Sequence, residues 1–140
     1  MDVVFLIGRL LFVAVFIGSG VMFHFMQYRQ ATQYAQMYSV PLAGPGVLLT
    51  GALAVVGGAM IALGLWGDLG ALLIVAFLLL VTSFMHRFWK ETDPQQWQLQ
   101  LTNFQKNNGL LGGALVIFYV WNQLQGEAGL SLTDPLFGRW

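Results

Sequence analysis

Apolar residues in this chain gather in long runs, and four of these read as membrane spans: residues 3–23, 47–66, 69–85 and 109–121. Crossing the hydrocarbon core of a bilayer takes about 20 mostly apolar residues in a helix. The pattern predicts an all-α, integral membrane four-helix bundle forming one domain. An even number of spans puts both termini on one face, side A, together with the short Gly67-Asp68 link. The two long connections lie on side B.

Polar spacing gives each long connection a helix of its own. Gln27, Gln30, Gln33 and Gln36 recur at every third position, with Tyr28, Ala31, Ala35 and Tyr38 on another face. In the second connection Asp93 is a candidate N-cap, Pro94 suits the first helical position and Gln96 completes a capping-box-like pattern. Trp97, Leu101 and Phe104 follow at helical spacing on one apolar face. Two interfacial amphipathic helices are expected, lying in the headgroup layer or capping the bundle.

The halves of the chain match at a constant offset of 62 residues. Leu48-Leu49-Thr50-Gly51-Ala52-Leu53 falls on Leu110-Leu111-Gly112-Gly113-Ala114-Leu115, and His24 falls on His86. The repeat halves, about 3–66 and 65–128, each read as span, amphipathic helix, span. This is a parallel internal duplication, unlike the inverted repeats of many transporters. Ala54, Gly58 and Ala62 in the second span, and Gly109 and Gly113 in the fourth, are spaced for close helix packing.

Composition narrows the class further. Hydrophobic residues make up 57% of the 140 and charged residues only 9%, against about 25% charged in soluble domains. A formal net charge of zero argues against nucleic acid as a partner. The absence of cysteine excludes disulfides, thiolate metal sites and iron–sulfur clusters. The N-terminus lacks the basic region of a secretory signal, so the first run is expected to stay as an anchor. Arg29, Arg87, Lys90 and Lys106 lie on side B, against Arg139 on side A, which places side B in the cytoplasm and both termini outside it.

Few residues offer chemistry. Arg9 is the one formal charge inside an apolar run, and such a charge costs about 2.5–3.5 kcal/mol at a helix centre. It either snorkels to the side-A headgroups or turns inward to hold a ligand or partner group. Its depth restricts the candidates to Asp68, Asn122, Gln123 and Glu127. His24 and His86 end the first and third spans on side B. They form a second candidate site with Asn103 and Lys106, for which Thr82, Ser83 or the glutamines are candidate supporting acceptors. Haem ligation by the two histidines is the less favoured reading, because both sit beside Phe and Met as interfacial residues would. Trp66, Trp89, Trp97, Trp121 and Trp140 are expected in an aromatic belt. No catalytic residue set and no metal site stands out.

Gly8-Arg9, Ser19-Gly20, the YAQMYSVP stretch at 34–41 and Gly57-Gly58 with Leu63-Gly64-Leu65 together resemble the DoxX family. So do the Phe84-Met85-His86-Arg87-Phe88-Trp89 exit and Phe104-Gln105-Lys106-Asn107 before Leu110-Leu111-Gly112-Gly113. His24 stands where the family often has lysine. The resemblance implies a four-helix protein of the bacterial inner membrane, associated with redox systems and similar to the membrane part of a thiosulfate:quinone oxidoreductase. The leading expectation is an accessory subunit of a respiratory or other electron-transfer complex, supporting assembly or a quinone or lipid path, with no intrinsic cofactor. An alternative is a quinone-binding subunit acting with a soluble partner. A small-solute transporter is weaker, because the spans are few and show little polar lining.

Overall fold

The computed structural model describes residues 2–124 and 130–137. Among these residues five α-helices run in order: α1 Asp2–Ser19, α2 Tyr28–Met37, α3 Ala43–Leu63, α4 Gly67–Met85 and α5 Pro94–Leu124. A π-helical segment, Gly20–Met26, extends α1, and a 3₁₀ turn, Phe88–Lys90, follows α4. There is no strand among the described residues. Among the described residues, three stretches are long and apolar enough to cross a membrane: Val3–Met26, Ala43–Leu63 and Gly67–Lys90.

One apolar core draws on α1, α3, α4 and α5, with Val13, Phe16, Ala54, Ile61, Ile74, Leu78 and Ala114 at its centre. Close approach depends on glycine. A Cβ on Gly57 would meet the Gly70 carbonyl at 2.9 Å, and one on Gly58 would meet Ile17 at 2.8 Å. Gly113 faces the Phe12 ring, whereas Gly109, expected to share that role, has nothing within 4 Å.

Helix ends follow local rules. At the end of α3, Gly64 takes a left-handed conformation (φ 68°). Its N–H donates to the Ile61 carbonyl and that of Leu65 to the Met60 carbonyl, as in a Schellman stop. The second span therefore ends before Trp66. Asp68, expected in the link, lies in the first turn of α4, where the helix dipole favours a carboxylate. Asp93 does cap α5: its Oδ2 accepts the Gln96 N–H at 2.9 Å.

Two elements depart from expectation. The helix anticipated in the second connection and the run 109–121 are a single 31-residue helix, α5, about 46 Å long at 1.5 Å per residue. Gln100, Asn107, Ala114 and Trp121 are all buried along it, a seven-residue stripe facing α4 that carries the helix through Asn107-Asn108-Gly109. Within that stripe Asn107 Nδ2 donates to Thr82 Oγ1 at 3.1 Å. In the first half the connector stays separate as α2, with Ala31 and Ala35 buried and the four glutamines exposed. The second departure is the π-helical end of α1, which reshapes the His24 region.

Candidate functional site

Arg9 is buried, with 2% of its surface exposed, and it turns inward. The guanidinium carbon lies 5.4 Å from the Trp121 ring centroid and 5.8 Å from that of Phe5, within cation–π range. Its hydrogen bonds go to a segment the sequence did not nominate. Nη1 donates to Ser131 Oγ at 3.2 Å, and Nη2 donates to the Leu130 carbonyl. Residues 130–137 form a strap across the side-A end. The Leu132 and Thr133 N–H groups donate to the Gly64 carbonyl at 3.0 and 3.1 Å. Trp66 N–H donates to Thr133 Oγ1 at 2.7 Å, and Phe137 N–H donates to Asp68 Oδ2 at 2.7 Å.

Arg9 and Asp68 are thus tied to one strap rather than to each other, with no ion pair between them. Burying a charge without partners is costly, and here neutral acceptors serve the cation while a neutral donor serves the anion. Arg9 Nε, Asp68 Oδ1, Trp121 Nε1 and Asn122 Oδ1 are buried without a hydrogen-bond partner among the described residues. Asn122, a nominated partner of Arg9, instead donates from Nδ2 to the Phe118 carbonyl of its own helix at 2.9 Å. Glu127, also nominated, lies outside the described residues, as do Arg139 and Trp140.

Trp121 corrects the aromatic-belt expectation. Its side chain is fully buried, because Gly67 leaves space for the indole: a Cβ there would lie 2.4 Å from the ring. Trp66, Trp89 and Trp97 are exposed, as a belt requires.

The two histidines meet at the other end. An apolar cavity of about 300 Å³ lies between the π-helical end of α1, α2, α3 and α4, and both His24 and His86 line it. Its walls include Phe23, Val47, Phe77, Leu80, Val81 and Phe84, with Ser19, Tyr34 and Thr50 as polar points. His24 reaches it because the π-helical turn carries it there and Gly51 leaves room for its side chain, while Gly20 lets the turn lie close against α3. A Cβ on Gly51 would fall 2.6 Å from His24 Cβ, and one on Gly20 would fall 2.5 Å from Val55. Such π-helical turns often sit at functional sites.

Each imidazole is oriented by a hydrogen bond at Nδ1. His24 Nδ1–H donates to the Ser19 carbonyl at 3.1 Å, and His86 Nδ1–H donates to Gln100 Oε1 at 2.8 Å. In the neutral ring this leaves Nε2 as an acceptor. Gln100, fully buried, donates in turn from Nε2 to Tyr38 OH at 2.7 Å and to Tyr34 OH at 3.5 Å. Burial, then the hydrogen bond and charge of Tyr34 and the negative charge of Glu91, push the Tyr38 hydroxyl up to about 12, while the bond from Gln100 acts in the opposite direction. Thr82, a nominated support, pairs with Asn107 instead. Asn103 and Lys106 do not line the cavity; Lys106 Nζ donates to Asn103 Oδ1 at 3.2 Å on the exposed side of α5.

Sequence reading grouped His24 with His86 and named the glutamines as supporting acceptors, a role Gln100 takes at His86, but it did not single out Gln100 and missed the tyrosine pair and the strap. Gln100 carried a usable signal, lying seven residues before Asn107 and on the same helical stripe as Ala114 and Trp121. The strap carried none. No curated protein and no solved structure matches the chain. The family model for DoxX matches residues 4–87, which takes in Arg9, His24, Asp68 and His86. With well over half its length matched, and with three helices apolar enough to cross a membrane, the chain belongs to the DoxX family of membrane proteins.

Proposed function

We propose that the protein is an accessory subunit of a respiratory or other electron-transfer complex in a bacterial inner membrane, and that its side-B cavity takes up the ring of a quinone. The single observation that carries this reading is the apolar cavity lined by both histidines. Ligand sites are commonly apolar with a few convergent polar groups, and this cavity has that character. On this reading α5 crosses the membrane through residues 109–121 as the fourth span, its polar first half extending beyond the bilayer. Side B then faces the cytoplasm, as the lysine and arginine distribution favours. A reporter active only in the cytoplasm, fused to Trp140, is expected to be silent.

The histidines act as hydrogen-bond acceptors toward the ligand, which favours the hydroxyls of a reduced ring. This observation also supports a second reading, in which the subunit binds quinone for a soluble redox partner. Extraction in mild detergent tests both. Co-purification with a quinone-linked complex supports the accessory role. Retained quinone, lost in His24→Ala and His86→Ala but kept in Arg9→Met, supports the cavity as its site. A monomer that purifies free of quinone and of any complex removes both readings.

A further inference from the structure

A second depression, about 580 Å³, opens on side B beside the apolar cavity, and Tyr34 lines both. Its polar wall carries Arg87, Lys90 and Glu91 from the turn after α4, Ser39 from the turn after α2, and Gln96 from α5. Arg87 Nη2 donates to the Tyr38 carbonyl, which fixes the guanidinium. Arg87 Nε is buried with no hydrogen-bond partner among the described residues. Although Arg87, Lys90 and Glu91 are close in sequence and share one pocket, no ion pair joins them. Two cations and one anion stand separately around the same space.

We propose that this pocket seats the headgroup of an aminophospholipid, with the phosphate against Arg87 and Lys90 and the primary ammonium against Glu91. Arg87 offers a forked donor set suited to phosphate oxygens, and Lys90 a point charge. A purely anionic headgroup would place its charge beside Glu91 as well, whereas a zwitterion satisfies both signs. The depth agrees: the pocket lies at the side-B end of the apolar stretch Gly67–Lys90, and the exposed Trp89 and Trp97 nearby mark the membrane interface. Basic pockets at helix ends are a recurring way of holding lipid headgroups. Bound there, the lipid would lie against α2 and close the flank of the apolar cavity, but its own recognition does not depend on a quinone.

Native mass spectrometry of the purified full-length protein, titrated with phosphatidylethanolamine, phosphatidylglycerol or phosphatidylcholine in detergent, tests the assignment. Phosphatidylethanolamine is expected to bind most tightly. Lys90→Gln should weaken it about fivefold, the effect of one interfacial cation. Glu91→Gln should weaken it too, while strengthening phosphatidylglycerol. Neither side chain makes a hydrogen bond among the described residues, so both variants should keep the wild-type helix content. His24→Ala should leave lipid binding unchanged, which separates this site from the quinone reading. Equal binding of the three lipids, or an unchanged preference in Glu91→Gln, overturns the proposal. If soluble phosphoethanolamine displaces the lipid at equal concentration, the site takes a free phosphate ester and the lipid assignment fails.

Discussion

At the scale of single residues, the buried charges Arg9 and Asp68 are held by neighbours far away in sequence, whereas His24 and Asn122 bond to carbonyls within five residues. Arg9 is held by the Leu130 carbonyl and Ser131. Arg9→Met keeps a stem of similar length but removes both donors. Hydrogen bonds to a charged group contribute about 1.5–3 kcal/mol each, and relief from burying the charge offsets part of that loss. Amide exchange at Leu132 and Thr133, whose N–H groups bond to Gly64, is therefore expected to speed by about tenfold to a hundredfold. Unchanged exchange would show that Gly64, Trp66 and Asp68 hold the strap unaided. Tyr38 makes a second case. Its hydroxyl is pushed up to about 12, above the usual value near 10. The fold thus favours the protonated phenol, and this contribution is intact below pH 10 and lost as pH rises toward 12. The difference in 295 nm absorbance between wild type and Tyr38→Phe should titrate with a midpoint near 12. A midpoint near 10 would mean that burial, Tyr34 and Glu91 have no effect on the group.

At the scale of elements, glycine decides how closely the helices approach, and the sequence does not show which glycines matter. Gly67 and Gly109 look alike in an apolar context, yet one carries the Trp121 indole and the other faces open space. Gly109→Ala should stabilise the protein by about 0.5–1 kcal/mol, the helix-interior difference between the two residues. Gly67→Ala should destabilise it by about 1–3 kcal/mol, because a rigid ring cannot yield to the new methyl group. Denaturation midpoints in mixed micelles would rank the variants, and the reverse order would contradict the packing. The same indirectness hid other features. The apolar runs were legible because lipid demands them. Asp93 and Pro94 were legible because a cap is local chemistry. The π-helical end of α1 was not, since Gly20 and Gly51 matter only once α1 and α3 are side by side. The continuity of α5 was obscured because Asn107-Asn108-Gly109 reads as a break, and only the partner Thr82 explains why Asn107 sits inside.

At the scale of the whole molecule, the question is whether the Arg9 strap and the histidine cavity form one device. The sequence placed Arg9 and the histidines at opposite ends by depth, and the contacts agree: every Arg9 partner belongs to side A, and both histidine hydrogen bonds belong to side B. What it could not supply was the strap itself, because an irregular segment has no periodicity to read and its hydrogen bonds reach back 67 to 122 residues. Arg9 lies on α1 and His24 on its π-helical extension, about 22 Å apart at roughly 1.5 Å per residue. Between them lie Val13 and Phe16, apolar core residues with no second polar arrangement to adopt. Sites this far apart without shared partners add within about 0.3–0.5 kcal/mol. The double variant Arg9→Met/His24→Ala should therefore unfold with the sum of the single changes. A coupling above about 1 kcal/mol would require the rigid stretch of α1 to transmit a shift from the strap to the π-helical turn. Gly20 is the place where such a shift would enter, since it is pinned against Val55 and Gly51 and begins the segment that aims His24. If coupling does appear, Gly20→Ala should reproduce the effect of His24→Ala on quinone retention while leaving Leu132 and Thr133 exchange untouched. Additivity would instead leave the family scaffold with two separate tasks, a sealed charge at one end and an open cavity at the other.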